Sequence, residues 1–281
     1  MNKCYLCGSQ GSVILDAEKK VHNPQHRVIY RYCDTCSLVF LDIDYNRWKG
    51  TYHEVRTIEE LDRYTDQLRF EGQKLYDYQY KHFRVHSKDR AVLDVGCGTG
   101  GCLDAYKDWD TYGVEPNEDM AEYGKSLGHN IIQGYYPCEI HKKFDLIICY
   151  GVLEHCTDLC EVLSGFYDNL KYGGFLHIEV PNLYTSSIHQ LGWGHISVFT
   201  PSVLRQLLMC QGFEILDFHN KKLFPEYSDS MGFICRKGSG GYIKWEKDSK
   251  LKVRVALWLK FHIGKLTVKN IIRKIVEKVL R

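Results

Sequence analysis

From residue 91 onward, short apolar runs alternate with stretches of helical spacing. AVLDV (91–95), TYGVE ending at Glu115, NIIQG (130–134) and FDLIICY (144–150) are brief apolar segments closed by glycine or polar turns. Runs of that length and boundary predict buried parallel strands. LKYGGFLHIEVPN (170–182) predicts a helix end, a Gly-Gly turn and a fifth strand. GFEILDFHN and SMGFICRK predict two more, close enough in sequence to pair antiparallel, which brings the count to seven. Helices are predicted over Asn117 to Leu127, Asp158 to Leu170 and Pro201 to Cys210, the last with Thr200 as N-cap and Pro201 at the first helical position. Leu103, Ala105 and Tyr106 predict a further helix after the first strand, and Ile58 to His86 another before it. Such alternation implies an α/β fold with a mostly parallel, Rossmann-like sheet covered on both faces, and a ligand at the carboxyl ends of its central strands.

The chemistry concentrates where the first strand ends. Asp94-x-Gly96-x-Gly98-x-Gly100 is a glycine-dense turn, with Cys97 inside it. Glycine tolerates positive φ and lets a ligand approach the backbone. Glu115, 21 residues beyond Asp94, closes the second strand, where a carboxylate can accept both hydroxyls of a ribose. A dinucleotide fingerprint would be G-x-G-x-x-G. The spacing here differs, and an acidic strand end suits a cationic ligand and opposes a pyrophosphate. On these residues, supported by FDLIICYGVLEHC at Phe144 to Cys156, the chain resembles the class I S-adenosylmethionine (SAM)-dependent methyltransferases across roughly residues 70 to 237. The resemblance implies SAM as cofactor. Asp94, Gly96, Cys97, Gly98, Gly100, Glu115 and Tyr150 are the candidate cofactor-binding residues, with Asp94 at the methionine end and Glu115 on the ribose.

Composition adds few constraints. Apolar content of 44% and charged content of 26% are ordinary for a globular protein. No basic stretch precedes an apolar core near residue 1, and no apolar run is long enough to span a bilayer, so a cytoplasmic location is expected. Twelve cysteines would be unusual in a reducing compartment if they formed a disulfide framework. Cys97 lies in the cofactor turn, however, and Cys149, Cys210 and Cys235 fall in expected core segments, where a thiol packs as a small hydrophobe.

Four other cysteines form two C-x-x-C pairs, Cys4/Cys7 and Cys33/Cys36, with 25 residues between them. Two such knuckles supply the tetrahedral thiolate set of a structural zinc ribbon, and His22 and His26 are not needed to complete it. Methyl transfer from a sulfonium needs no Lewis acid, so the expected role of zinc is to fold about forty residues that could not fold without it.

The segment after the fifth strand, VPNLYTSSIHQLGWGHISVFTP, lies at the carboxyl edge of the sheet and carries His195. Histidine titrates near neutral pH and can take the proton that an acceptor hydroxyl or activated carbon loses. His195 is the candidate base, with binding of substrate or backbone as the other reading. His155 is the second candidate. The GHISVFTP stretch resembles a branch that includes sugar methyltransferases, which also tend to carry a four-cysteine zinc module. In the sugar C-methyltransferases a histidine at the matching place is thought to act as base. This sequence lacks their long C-terminal domain, which turns the expectation toward a sugar hydroxyl in surface-polysaccharide or secondary-metabolite synthesis. Tyr52 and Tyr64, in the tyrosine-rich 42–90 segment, are further candidates for contact with a sugar.

Residues 250 to 281 hold ten Lys or Arg and one acid, net +9, which leaves −7 for the rest of a +2 chain. Leu251, Val255, Trp258, Leu259, Leu266, Ile271, Ile275 and Val279 recur at helical spacing, with Gly264 dividing two segments. A docked helix with a solvated basic face and a peripheral helix on an anionic membrane both fit, whereas a nucleic-acid contact would use the charge but has less need of the apolar stripe. The expected organisation is a zinc-ribbon module over 1–41, a helical lid over 42–88, the SAM-binding domain over 89–238 and a basic tail over 239–281. The expected acceptor is a small molecule or glycan. A zinc-containing RNA methyltransferase is the alternative, opposed by the acidic body and by Tyr150-Gly151-Val152-Leu153 where an N-P-P-Y-type motif would stand. A non-catalytic SAM-binding scaffold is the third reading.

Overall fold

In the FDLIICY segment, Leu146, Ile147, Ile148 and Cys149 are all fully buried. Successive strand residues point to opposite faces, so an unbroken apolar run requires cover on both. The computed structural model describes residues 3–19, 26–42, 56–82, 89–186, 194–220, 230–238 and 246–263. His22, Tyr52, Gly264 and the apolar positions beyond it lie outside these, as do residues 187–193 of the His195 segment.

The strands are β1 (Gly11–Lys19), β2 (His26–Cys33), β3 (Val39–Leu41), β4 (Ala91–Val95), β5 (Asp110–Glu115), β6 (Ile131–Gln133), β7 (Phe144–Tyr150), β8 (Leu170–Pro181), β9 (Ser197–Val198), β10 (Phe213–His219) and β11 (Ser230–Lys237). The helices are α1 (Ile58–His82), α2 (Glu118–Ser126), α3 (Leu159–Asn169), α4 (Pro201–Cys210) and α5 (Lys250–Ile263). Seven strands form one sheet in the order β6-β5-β4-β7-β8-β11-β10, with β11 antiparallel to both neighbours. The seven strands are those expected from the sequence. Asn117, Asp158 and Thr200 cap α2, α3 and α4 by accepting from the amides of Met120, Glu161 and Val203.

Two expectations are corrected. The segment after the glycine turn is a five-residue 3-10 helix, Gly101–Ala105, and no α-helix forms there. Helix α1 occupies that space, approaching so closely that a Cβ on Gly101 would lie 2.6 Å from the Thr65 carbonyl oxygen. Cys210 is exposed, whereas Cys149 and Cys235 are buried as expected.

A second, four-stranded sheet has the order β1-β2-β3-β9. It takes β9 from the His195 segment through Val39↔Val198 and Phe40↔Ser197. The cysteine module is therefore joined to the large sheet by backbone pairing. Cys4, Cys33, Cys36, Leu38 and Phe40 also belong to the same apolar core as Val95, Leu153 and Phe199.

Helix α5 packs on the outer side of this small sheet. Val253, Ala256 and Leu257 are its buried face, and Val253 and Leu257 join Ile14, Leu15, Tyr30 and Leu183 in a second core. The stripe picked out in the sequence is the outer face: Leu251 is 71% exposed, and Val255 and Trp258 are also exposed. Docking depends on a different set of positions, spaced i, i+3, i+4. Lys250 pairs with Asp34, and Tyr32 donates to the Asp248 carbonyl at 2.7 Å. Leu257→Ala should cost about 2–5 kcal/mol in urea unfolding. Leu251→Ala should stay within about 0.5 kcal/mol. Equal losses would show that the helix does not dock by the inner face.

Candidate functional site

The turn after β4 is built around one carboxylate. Glu115 ends β5 with both oxygens engaged: the Gly98 amide donates to Oε2 at 2.9 Å and the Asn117 amide to Oε1 at 2.8 Å. Gly98 can face Glu115 because its φ is +56° and the Tyr64 ring lies where a Cβ would point, at 2.8 Å. A carboxylate has about four lone-pair sites, so Glu115 keeps acceptor capacity for two hydroxyls. Asp94, at the end of β4, is buried nearby. Burial, reinforced by the charge of Glu115, pushes its carboxyl up to about 7, and burial also raises Glu115.

A cavity of about 1030 Å³ opens at the carboxyl ends of the central strands. Asp94, Gly96, Cys97, Glu115, Tyr150, His155 and His195 all line it, and Tyr64 does too. Gly98 and Gly100 are not part of its wall; they shape the turn behind it. The volume lies at the upper end of the about 300–1,000 Å³ usual for small-molecule sites, leaving room for a cofactor and an acceptor together. Among the described residues, seven carboxylic acids and one arginine, Arg56, line it. Its ionised members attract cations and repel phosphates, and a bound cation favours ionisation of the buried ones.

His195 sits beside two other titratable groups. Its Nε2 is 3.9 Å from Glu154 Oε1, and its ring meets His155 edge to face at 4.6 Å between centroids. The His155 Nδ1 lies 2.9 Å from the Gly194 carbonyl oxygen, so it is the ring's donor, and burial holds its pKa down to about 4. His155 is therefore neutral near pH 7 and anchors the residue next to His195. Glu154 is buried, its carboxyl is pushed up to about 8 by that burial, and its Oε2 has no hydrogen-bond partner among the described residues.

At the other module, Cys4 Sγ and Cys36 Sγ are 3.5 Å apart, Cys7 Sγ and Cys33 Sγ 3.4 Å, and all four sulfurs lie within 4.8 Å of one another. A disulfide would bring two sulfurs to about 2.05 Å. Four ligands 2.3 Å from a tetrahedral zinc would stand about 3.8 Å apart, which the cluster approaches.

The family described as a methyltransferase domain matches residues 62–217. The chain belongs to this family. An uncharacterised protein of Methanocaldococcus jannaschii is 29% identical to this chain over 126 residues, 44% of this chain and 54% of that one. The chain thus spans about half the length of that curated relative. Among solved structures, a SAM-dependent methyltransferase from Clostridium acetobutylicum is similar at 17% identity, covering 69% of this chain and 99% of that one with a TM-score of 0.49. One from Archaeoglobus fulgidus is similar at 20% identity, covering 60% and 94% with a TM-score of 0.48.

The cavity fits SAM, the cofactor of methyltransferases of this fold. SAM carries a sulfonium and an ammonium and no phosphate, and its charge would offset the burial of Asp94 and Glu115. Sequence reasoning passed over Arg56, Glu154 and Glu179 as wall residues. Glu179 had a legible signal: His177 and Glu179 alternate on one face of an otherwise apolar strand. A cation bound beside Asp94 selects its ionised form, and below about pH 7 a proton must first leave. SAM affinity, measured by calorimetry, should therefore rise by several-fold from pH 5.5 to 8. Asp94→Asn should weaken binding at pH 8 and flatten the profile. A constant Kd in the parent would remove Asp94 from the charge-recognition site.

Proposed function

We propose that the protein methylates a hydroxyl of an uncharged small molecule or glycan, with His195 as the general base. The observation that carries this reading is the shared cavity: the Asp94–Glu115 turn and the His195–Glu154 pair line the same space. Gly96, Gly98 and Gly100 shape the cofactor turn, Glu115 takes the ribose hydroxyls, Asp94 faces the methionine end, and Cys97 and Tyr150 form wall. SAM, when bound, supplies a methyl group activated by its sulfonium. The chain's own part is to hold the acceptor oxygen in line and to take its proton. His195 accepts that proton, and Glu154 behind it, in the ionised form it takes above about pH 8, stabilises the imidazolium so formed. His155, neutral and bonded to Gly194, positions the base. The carboxylate-rich wall supports an uncharged acceptor and weighs against an RNA backbone.

The four-cysteine cluster supports a structural zinc. Its place in the shared core gives the metal a role in holding the cavity's supporting segment through β9. Cys33→Ser should contain one equivalent of zinc less than the parent and melt at a lower temperature; an unchanged zinc content would dismiss the assignment. The outward stripe of Leu251, Val255 and Trp258, beside exposed Lys252 and Arg254, supports peripheral contact with an anionic membrane. Among the described residues no helix is long and apolar enough to cross a membrane. Leu251→Ala combined with Trp258→Ala should reduce salt-sensitive binding to anionic vesicles, and equal binding by parent and variant would count against that contact.

The central test is transfer of labelled methyl from SAM to pools of hydroxylated small molecules, sugars and, as comparison, RNA. Label should enter the small-molecule or glycan pool. His195→Ala should lower that rate by about 10²–10⁴-fold while SAM affinity stays within about twofold. Near-normal turnover in the variant would return His195 to a loop residue, and label only in RNA would reverse the acceptor class.

A further inference from the structure

Three consecutive strands bring a second group of ligating side chains together, and the methyl-transfer reading makes no use of it. His219 on β10, Gly232 on β11 and Glu179 on β8 are in register across the sheet. His177 lies two residues before Glu179, on the same face of β8. Gly232 is the condition for their meeting. A Cβ there would lie 2.2 Å from His219 Nε2 and 2.9 Å from Glu179 Cγ, so the imidazole occupies the space of the missing side chain. His219 Nε2 is 3.1 Å from His177 Nε2 and 3.6 Å from Glu179 Oε1. All three residues are buried, and Glu179 Oε1 has no hydrogen-bond partner among the described residues.

We propose that His177, Glu179 and His219 bind a divalent transition-metal ion of the zinc or ferrous type. Ligands about 2.1 Å from a metal stand about 3.0–3.4 Å apart at octahedral to tetrahedral angles. His219 Nε2 is 3.1 and 3.6 Å from its two partners, and all three ligand atoms lie within 4.8 Å of one another. Two imidazoles and one carboxylate suit zinc or non-haem iron, and leave coordination positions over for water or substrate. The surrounding shell has the character of a metal site as well. His177 Nδ1 meets Tyr150 Oη at 2.5 Å and the Gln79 amide at 3.1 Å, contacts that orient the ring and direct Nε2 to the cluster. The Gln79 oxygen accepts from Tyr106 Oη here; turning the amide would place that oxygen on a protonated Nδ1 and its nitrogen on Tyr106 Oη. Ser230 donates to the other Glu179 oxygen at 3.0 Å, and the Tyr78 ring packs edge-on against His219 at 4.9 Å. Glu179 and Ser230 line the large cavity, which gives the ion a route in and places it at the wall of that space. The inference concerns metal binding and stands apart from the identity of the acceptor.

The test is a metal count on the full chain, loaded with excess Zn²⁺ or Co²⁺ and desalted, with the cobalt spectrum recorded. The parent should hold two equivalents, one showing thiolate-to-cobalt charge transfer and one showing only the weaker bands of nitrogen and oxygen ligands. His219→Ala should lose the second equivalent and keep the thiolate signal. Gly232→Ala should do the same with all three ligands still present. Gln79→Leu should weaken the second equivalent by about 10–100-fold. A parent with only the thiolate-bound equivalent would overturn the proposal without recourse to any variant. So would a second equivalent kept by folded His219→Ala and Gly232→Ala alike.

Discussion

A buried carboxylate that takes its hydrogen bonds from the backbone organises the carboxyl edge of this sheet. Glu115 accepts from Gly98 on one loop and from Asn117 at the start of α2, so a single side chain ties the turn after β4 to the turn after β5. Backbone amides cannot swing away as a lysine or arginine would, and their bonds to an ionised acceptor are stronger than those between neutral groups. The geometry of the glycine turn follows, and with it the position of Asp94. Two acids held close together under burial are costly unless a cation joins them, and this makes an otherwise unfavourable arrangement suited to a sulfonium cofactor.

The small sheet bears on the same site from the opposite direction. Because β9 is formed by Ser197–Val198, two residues after His195, the candidate base is held at the point where its segment pairs with β3. Leu41 donates its amide to the Ile196 carbonyl at 2.8 Å, adding a backbone tie immediately beside His195. The cysteine knuckles set the end of β2 and the entry to β3, so their order is passed to the His195 segment through a ladder of hydrogen bonds. A metal far from the chemistry can matter in this way without touching an acceptor.

Helix α5 closes the arrangement by covering β1 and the second core of the small sheet, and Asp248, just before it, accepts from Thr200 at the head of α4. The cysteine module, the His195 segment and the start of the tail thus share partners. The sequence divides them at residues 41 and 239, whereas their packing makes them contiguous.

The sequence determined all seven strands of the large sheet, because short apolar runs between helical stretches have few other ways to bury both faces. The glycine turn, Glu115 and the cysteine pairs were legible for a similar reason: their spacing along the chain is itself the chemistry. Helix α5 was legible as a helix but not in its docking face, since Leu251 and Leu257 are equally apolar and only the partner surface of Ile14, Leu15 and Tyr30 distinguishes them. The 3-10 turn after Gly100 was decided by α1, which comes from some thirty residues earlier and fills the space a helix would need. The partnership of Glu154 with His195, and the meeting of His177, Glu179 and His219 over Gly232, depend on residues about forty positions apart. No local pattern encodes such contacts; they exist only once strand order and register bring those side chains to one place.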